Sequence, residues 1–372
     1  MVKVAMTGSD GFLGWHTRCA LMETTAEVAH IPVGNLFDRA EATGAVSGAS
    51  RFIHLAGVNR GTDAEVIEGN GRFAEQAAEI LRRCEEPPSV VVYANSIQVD
   101  QRNTYGQAKA GAAEILADAA ARVGAEFVDI KFPNLFGEHG RPFYNSVIAT
   151  FCHLLARGEA PEIKEDRELT LLHAQDAADI LLGTVPAASM AALTAASSVS
   201  GLLALLRGMA DTYARGDIPD IAAPFQRNLF NTYRSFPTGT GNAVPLTRHA
   251  DARGSFFEVI RTHGGTGQSS FSTTVPGVTR GDHFHRRKVE RFAVLAGHGR
   301  ISMRRCLSTE AFSFEIDGDA PIAIDMPTLW THNITNIGAD PLYTLFWTDD
   351  LFNPASPDTI PEPVNSCTRA TR

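Results

Sequence analysis

The sequence predicts two folds in series: an α/β unit on a doubly wound parallel sheet, then an all-β barrel or double-sheet jelly roll. Three observations carry this. From residue 1 to about 180, short apolar β-rich runs alternate with longer segments of helical period, the signature of βαβ units. After about residue 225 the texture changes to short strand-like runs punctuated by turns, as barrels and sandwiches require. Between them Phe236–Pro245, FPTGTGNAVP, is polar and rich in Gly, Pro and Thr, as a linker should be. A chain of 372 residues has room for two domains with a core each, and the division is expected at 1–240 and 241–372.

Val2–Thr7 reads as the first strand and Leu13–Glu23 as the helix after it. Phe52–Ala56 and Val90–Ala94 are strand runs, each followed by a helical segment, Ala64–Arg83 and Tyr105–Arg122; Phe127–Ile130 closes the series. The uncharged stretch Val185–Leu206 is dominated by Ala, Ser and Thr and carries Pro186 near its start. It lacks the apolar content of a membrane span and reads as a buried strand followed by a helix. Beyond the linker, the strand runs are Ser255–Arg261, Ser269–Thr274, Glu290–Ala296, Arg300–Arg304, Ala311–Ile316, Ile322–Met326 and Leu342–Thr348.

With 44% hydrophobic and 20% charged residues the composition is that of an ordinary globular protein. The net charge of −9 and the lack of any long Lys/Arg run argue against a nucleic-acid partner, and an anionic small substrate would need a local basic pocket. The five cysteines, Cys19, Cys84, Cys152, Cys306 and Cys367, are odd in number and scattered, without CxxC spacing; this suits thiols in a reducing compartment, and the expected location is cytoplasmic. MVKVAMTG runs straight into a strand, with no signal-peptide pattern.

The first strand ends in Thr7-Gly-Ser-Asp-Gly-Phe-Leu-Gly14, a TGxxGxxG loop that opens a helix. Gly8 allows the tight turn, Gly11 lets backbone approach a pyrophosphate, Gly14 allows close helix-to-strand packing, and the helix N-terminus supplies N–H donors. Gly8, Ser9, Gly11, Phe12 and Leu13 are therefore the expected dinucleotide contacts. Tyr105 and Lys109 share one helix face at a spacing of four, so the ammonium can favour the ionised phenol and draw a pKa of about 10 toward neutrality. Alone, that pair would read as a solvated helix face. Ser96, nine residues earlier at a strand end, can donate to the same carbonyl oxygen. No Asp or Glu lies in His30–Asn35, where an NAD enzyme would bind the ribose 2′-hydroxyl; Arg39 a little later suits a 2′-phosphate, which tilts the cofactor toward NADP(H).

Together with His54-Leu-Ala-Gly57, these residues resemble the extended short-chain dehydrogenase/reductases, Rossmann-type enzymes acting on nucleotide sugars. The resemblance implies that Leu55, Ala56 and Gly57 join the glycine loop in holding the cofactor. It also implies that Tyr105 exchanges the proton, Lys109 binds the nicotinamide ribose, and Ser96 polarises the carbonyl. Dehydratases of this family carry an acidic residue just after the Ser; here Ile97 and Gln98 follow, so plain hydride transfer is expected.

The C-terminal half carries His283-Phe-His285, Glu290 and Gly297, then His332 in Pro327-Thr-Leu-Trp-Thr-His-Asn-Ile-Thr-Asn336. Residues two apart on a strand share a face, and a carboxylate after a short connection can return beside them. Three His and one carboxylate suit zinc, and also iron, manganese or nickel. The spacings resemble both cupin motifs, with Leu329 standing where the second usually has Gly.

End to end, the chain resembles the two-domain capsular polysaccharide enzymes of the CapF type. The matching segments include HLAGVNR at 54–60, NSIQ at 95–98, YGQAK at 105–109, FPNLFG at 132–137, RPFYNSVIATFCH at 141–153, PGVTRGDHFH at 276–285 and FNPASPDT at 352–359. The resemblance implies a zinc cupin that epimerises C3 of a UDP-linked 4-keto-6-deoxy amino sugar and a reductase domain that reduces C4 with NADPH. The product would be UDP-2-acetamido-2,6-dideoxy-L-talose, and the assembly a homodimer. Near the family's substrate loops, Lys131, Asn134, Arg141 and Arg167 are the candidates for the substrate, with Lys131 where the family more often has Arg. Lys288 and His298 are candidate acid or base groups for epimerisation. Two further readings stay open: a redox-neutral epimerase with a structural cupin, and a sugar-nucleotide-binding protein without turnover.

Overall fold

The structure, a computed structural model, describes residues 2–237, 241, 243–252 and 254–365; Cys367 lies outside them. Two compact units are present, Met1–Leu135 with Leu169–Ala196 and Phe136–Glu168 with Ser197–Arg372. Among the described residues no helix is long and apolar enough to cross a membrane.

The first unit is built on strands β1 (Lys3–Thr7), β2 (Glu27–Ile31), β3 (Arg51–His54), β4 (Val90–Ser96) and β5 (Glu126–Phe132). All pair in parallel, in the order β2-β1-β3-β4-β5. Alternate strand residues serve opposite faces. Ala5, Phe52, Val91 and Tyr93 pack under helices α2 (Arg39–Val46), α3 (Asp63–Arg83) and α4 (Thr104–Arg122). Val4, Met6, Ile53, Val92 and Ile130 form a second cluster with Leu21 of α1 (Phe12–Leu21) and Ala177, Ile180 and Leu181 of a later helix. That is the doubly wound arrangement the alternation predicts. The long helix α3 starts at a capping box, Thr62 with Glu65, and ends on Arg82 and Arg83, both favourable to its dipole.

The chain continues through β6 (Asn134–Phe136), α5 (Val147–Ala156), β7 (Glu168–His173), α6 (Ala174–Leu182), α7 (Met190–Leu193) and β8 (Ala195–Ser198). Within Val185–Leu206 the strand is only β8, and it is half-buried rather than buried; the preceding Ala-rich residues form short helical turns instead, as alanine favours. The expected helix is present as α8 (Val199–Ala214), followed by α9 (Pro224–Arg234), which opens on a proline at its first turn.

The second unit carries β9 (Ala243–Pro245), β10 (His249–Asp251), β11 (Gly254–Phe256), β12 (Gln268–Thr274), β13 (Thr279–Phe284), β14 (Glu290–Ala296), β15 (His298–Arg305), β16 (Ala311–Asp317), β17 (Ile322–Met326), β18 (Trp330–Asn336), β19 (Leu342–Thr348) and β20 (Ile360–Pro361). Two five-stranded sheets result, β12-β19-β14-β17-β9 and β16-β15-β18-β13-β20. Val294, Ile324 and Leu342 of the first meet Ile301, Met303 and Ile334 of the second in one core. The strand expected at Ser255–Arg261 is only β11, an exposed hairpin partner of β10; its apolar residues find no sheet to cover.

Helices α5, α8 and α9 belong to this unit and pack on one another. From α9, Asn231 donates to the Arg287 carbonyl at 2.8 Å and Arg234 to that of Met326 at 3.1 Å. Arg291 of β14 meets Asp325 of β17 through two bonds of 2.6 and 2.9 Å and reaches the Gly216 carbonyl at 2.6 Å. Burial works against this pair, yet each partner holds the other charged: Asp325 is driven down and Arg291 up.

Candidate nucleotide and metal sites

In a sheet of order β2-β1-β3-β4-β5 the direction of winding reverses between β1 and β3, and ligands of such sheets bind at the carboxyl ends of the strands there. The Gly8–Leu13 loop leaves β1 and Leu55–Gly57 leaves β3, so the predicted dinucleotide contacts meet at this point. Thr7 ties them: its hydroxyl oxygen accepts from Leu55 N and Ala56 N at 3.2 and 3.3 Å. The hydroxyl proton is thereby left for His54 Nδ1, 2.9 Å away, which fixes the imidazole with its proton on Nε2. Burial, with Lys109 adding to it, holds His54 down to about 3 and therefore neutral.

Gly8 sits at φ +68, and a Cβ there would come within 2.7 Å of Ala56 N. At Gly14 a Cβ would run into the Gly8 carbonyl and the Ser9 backbone, so this glycine admits the helix to the loop, rather than to the strand as expected. Arg39, expected to face a 2′-phosphate, opens α2 and pairs with Glu79 at 2.6 Å.

Ser96 ends β4, and its hydroxyl oxygen accepts from Gln98 N at 3.2 Å. The turn it caps lies against the start of α4. Asn103 caps α4 by accepting from Gly106 N at 2.7 Å and donates to Gln98 at 3.4 Å. At Gly106 a Cβ would strike the Gln98 carbonyl. Sequence reasoning missed both residues, although an Asn three positions before a helical glycine is a capping signal. Lys109 is buried and donates to the Ala94 carbonyl at 2.7 Å, above the Tyr93 ring at 4.1 Å. Burial pulls its ammonium down to about 7, against the pull of Asp129. The sequence suggested a standing cation beside Tyr105; the structure holds a lysine whose charge is conditional near neutrality.

Of the substrate candidates, Lys131 is engaged by Asp100 at 3.0 Å, and Asn134 donates to the Thr170 carbonyl at 3.1 Å. Both lie in the first unit. Arg141 and Arg167 lie in the second, Arg141 with its guanidinium 5.0 Å from the Tyr144 ring centre and Arg167 exposed.

His283, His285, Glu290 and His332 converge: their ligand atoms all lie within 4.8 Å of one another. β13 carries a bulge between Gly281 and His283, after which His283 pairs directly with His332 of β18. His285 follows the end of β13, and Glu290 begins β14 in the other sheet, so the set bridges the two sheets. His285 Nδ1 lies 2.6 Å from the Asp358 carbonyl and His332 Nδ1 3.1 Å from that of Trp330. A carbonyl only accepts, so in both rings Nδ1 carries a proton. His285 Nε2 hydrogen-bonds Glu290 Oε2 at 3.0 Å; although burial works against both charges, the carboxylate draws His285 up and the imidazole holds Glu290 well down. His332 Nε2 lies 3.1 Å from the same Oε2 without an aligned hydrogen bond. Three imidazoles and a carboxylate whose ligand atoms converge in this way are the donor set of a bound cation. Burial, with the neighbouring imidazoles, also pulls His283 down to about 3, keeping it neutral as a ligand must be.

Leu329 adopts the left-handed backbone, φ +63, that the glycine of the second motif would provide. Its N–H donates to the His285 carbonyl at 2.8 Å and its side chain is fully buried. His283, His285 and Glu290 open on a cavity of about 340 Å³ also lined by Ser270, Lys288, Phe346, Thr348, Phe352 and Thr359, with His332 buried behind them. Lys288 is thus at the site, held by Thr359 at 3.2 Å; His298, on β15, does not line it.

Residues 4–189 match the NAD dependent epimerase/dehydratase family, and residues 249–360 match the polysaccharide biosynthesis C-terminal domain. The chain belongs to the NAD dependent epimerase/dehydratase family. Within it, a UDP-2-acetamido-2,6-beta-L-arabino-hexul-4-ose reductase of Pseudomonas aeruginosa is 30% identical over 370 residues, 96% of this chain and 98% of that one. The capsular polysaccharide assembling protein CapF from Staphylococcus aureus matches the structure with a TM-score of 0.62 at 31% identity, covering 97% of this chain and 100% of that one. A spore coat polysaccharide biosynthesis protein of Bacillus subtilis, SpsL, is 28% identical over 122 residues, 30% of this chain and 81% of its own. This epimerase/dehydratase-family chain is therefore of the CapF type along its whole length, as its distributed motifs indicate.

Proposed function

We propose that the chain is a bifunctional nucleotide-sugar enzyme. Its barrel, 241–372, epimerises C3 of a UDP-linked 4-keto-6-deoxy-N-acetylhexosamine. Its N-terminal domain, 1–240, reduces the C4 ketone with NADPH to UDP-2-acetamido-2,6-dideoxy-L-talose or a related deoxy amino sugar. The observation that carries this is one chain holding a three-His, one-Glu cluster at a cavity together with a glycine loop after β1, Ser96 at the end of β4, and Tyr105 and Lys109 four residues apart on α4. The Pseudomonas relative, described as a reductase of a UDP-linked hexul-4-ose, supports the ketosugar assignment.

A nicotinamide cofactor supplies the hydride, and a divalent ion, zinc by its ligands, supplies a Lewis acid at a carbonyl. The chain's residues do the rest. Gly8, Ser9, Gly11, Phe12, Leu13, Leu55, Ala56 and Gly57 hold the dinucleotide, and Lys109 donates to its ribose. Ser96 donates to the C4 oxygen and orients it, while Tyr105 delivers the proton there, general-acid help worth about 10²–10⁴-fold. His283, His285, Glu290 and His332 hold the ion beside a C3–H that is acidic because the C4 carbonyl is its neighbour. Lys131 and Asn134 are the proposed UDP-sugar contacts of the first unit, and Arg141 and Arg167 those of the second. The working form is a cytoplasmic homodimer.

The test is NMR of the candidate 4-ketosugar nucleotide in D₂O, first without and then with NADPH. Deuterium at C3 followed by coenzyme oxidation is expected, and Tyr105→Phe should stop only the second. Neither change with intact protein would sink the reading.

A further inference from the structure

We propose that Asp358, assisted by Asp349, is a positioning residue of the metal centre, clamping the four-residue connection that separates two of its ligands; this rests on the reading that the barrel holds an ion. Arg286–Val289 joins His285 to Glu290 and belongs to neither β13 nor β14. Backbone donors without a strand partner need acceptors when they lie close to a buried site, and here all four end on two carboxylates. Asp358 Oδ1 accepts from Arg286 N at 2.9 Å, and its Oδ2 accepts from Arg287 N and Lys288 N at 2.9 and 3.0 Å. Asp349 Oδ1 accepts from Val289 N at 2.7 Å.

The same Asp358 also reaches the ligand by its main chain. Its carbonyl accepts the His285 Nδ1 proton at 2.6 Å, and it does so from a left-handed backbone, φ +43, which Asp tolerates better than most residues. One residue thus orients the His285 ring through its carbonyl and shapes the following loop through its carboxylate. The loop in turn sets where Glu290 begins β14, with its Oε2 3.0 Å from His285 Nε2. Asp358 and Thr359 also line the cavity, so the clamp fixes ligand and wall together. The anchor lies in the FNPASPDT segment, far from the ligand motifs in sequence, and neither HxH spacing nor the carboxylate pattern points to it.

Asp358→Asn keeps the size but turns an amide N–H₂ toward backbone donors, because both Asp358 oxygens accept. Asp349 meets Val289 N through Oδ1, which an amide oxygen would replace, so Asp349→Leu is the variant that removes the acceptor at the other end of the loop. Partners that orient a ligand are commonly worth about 10–100-fold in metal affinity, and that loss is expected for Asp358→Asn, with a smaller one for Asp349→Leu. Both are measured on the full chain by titrating the metal-free protein with Co²⁺ and with Zn²⁺. The visible spectrum of the Co²⁺ form should change, a change that lower stability of the metal-free protein would not by itself produce. Two variants that bind both ions with parental affinity and spectrum would overturn the clamp. A fall in metal-free melting with no spectral change would also overturn it, showing a merely structural role. Parental protein that takes up neither ion would overturn the clamp and the epimerase reading together. Uptake without deuterium exchange at C3 would overturn only the epimerase reading, because the affinity comparison is read from the ion itself.

Discussion

Raising the pH from about 6 to about 9 should strip the charge from Lys109 and weaken NADPH binding to the intact chain. Burial pulls this ammonium down to about 7, with Asp129 opposing, and its one hydrogen bond in the structure goes to the neutral carbonyl of Ala94 at 2.7 Å. Below that value the side chain is charged; above it each further unit removes about tenfold of the charged form. A ribose hydroxyl held by an ammonium gains a charge-assisted bond, worth about 1.5–3 kcal/mol, so the loss is capped at about 10–150-fold. The Kd for NADPH should therefore be flat below about 7, rise about tenfold over the next unit, and level off within that cap. Fluorescence titration at fixed ionic strength measures it. Lys109→Met should bind weakly with no pH step. A parental Kd unchanged over this range, or a Met variant with the same slope, would show that another group titrates and refute the assignment.

Three further outcomes follow from packing. A methyl at Gly106 would lie 3.0 Å from the Gln101 carbonyl and closer still to that of Gln98. Gly106→Ala should therefore push α4 back by about 1 Å and lower NADPH-dependent turnover about 10²-fold, an idea that parental turnover would end. Asp325→Asn leaves Arg291 buried with half its pair, at a cost of about 3–5 kcal/mol; urea unfolding with a loss below about 1 kcal/mol would show the pair to be dispensable. Leu329→Gly relieves about 1–2 kcal/mol of left-handed strain but removes a fully buried side chain worth about 2–5 kcal/mol. Its Tm should fall, and a rise would mean the strain outweighs the packing.

The parts legible in the sequence are those where one residue type answers one local demand. Gly8 is read correctly because its φ of +68 and the nearness of Ala56 admit nothing larger. The convergence of His283, His285, Glu290 and His332 is legible because strand periodicity and a short return suffice to bring them together. What stayed hidden depends on partners distant in the chain. Strand β2 carries Glu27 and His30 at a half-exposed edge, so its apolar pattern is faint. The burial of Lys109 depends on Tyr93 and Ala94 across the sheet. Leu329 takes a glycine-like backbone because its side chain is buried and its N–H and C=O are both engaged. Asp358 serves His285 from 73 residues away, and no spacing rule reaches that far.

The two compact units are interleaved along the polypeptide, since Phe136–Glu168 joins the barrel's unit before Leu169–Ala196 returns to the first. No single cut liberates either one whole. A fragment beginning at the linker would forfeit Asn231 and Arg234, which brace the barrel near the His/Glu cluster through Arg287 and Met326. Recombination at the linker would therefore carry the HxH and second-motif residues away from the helices that support them.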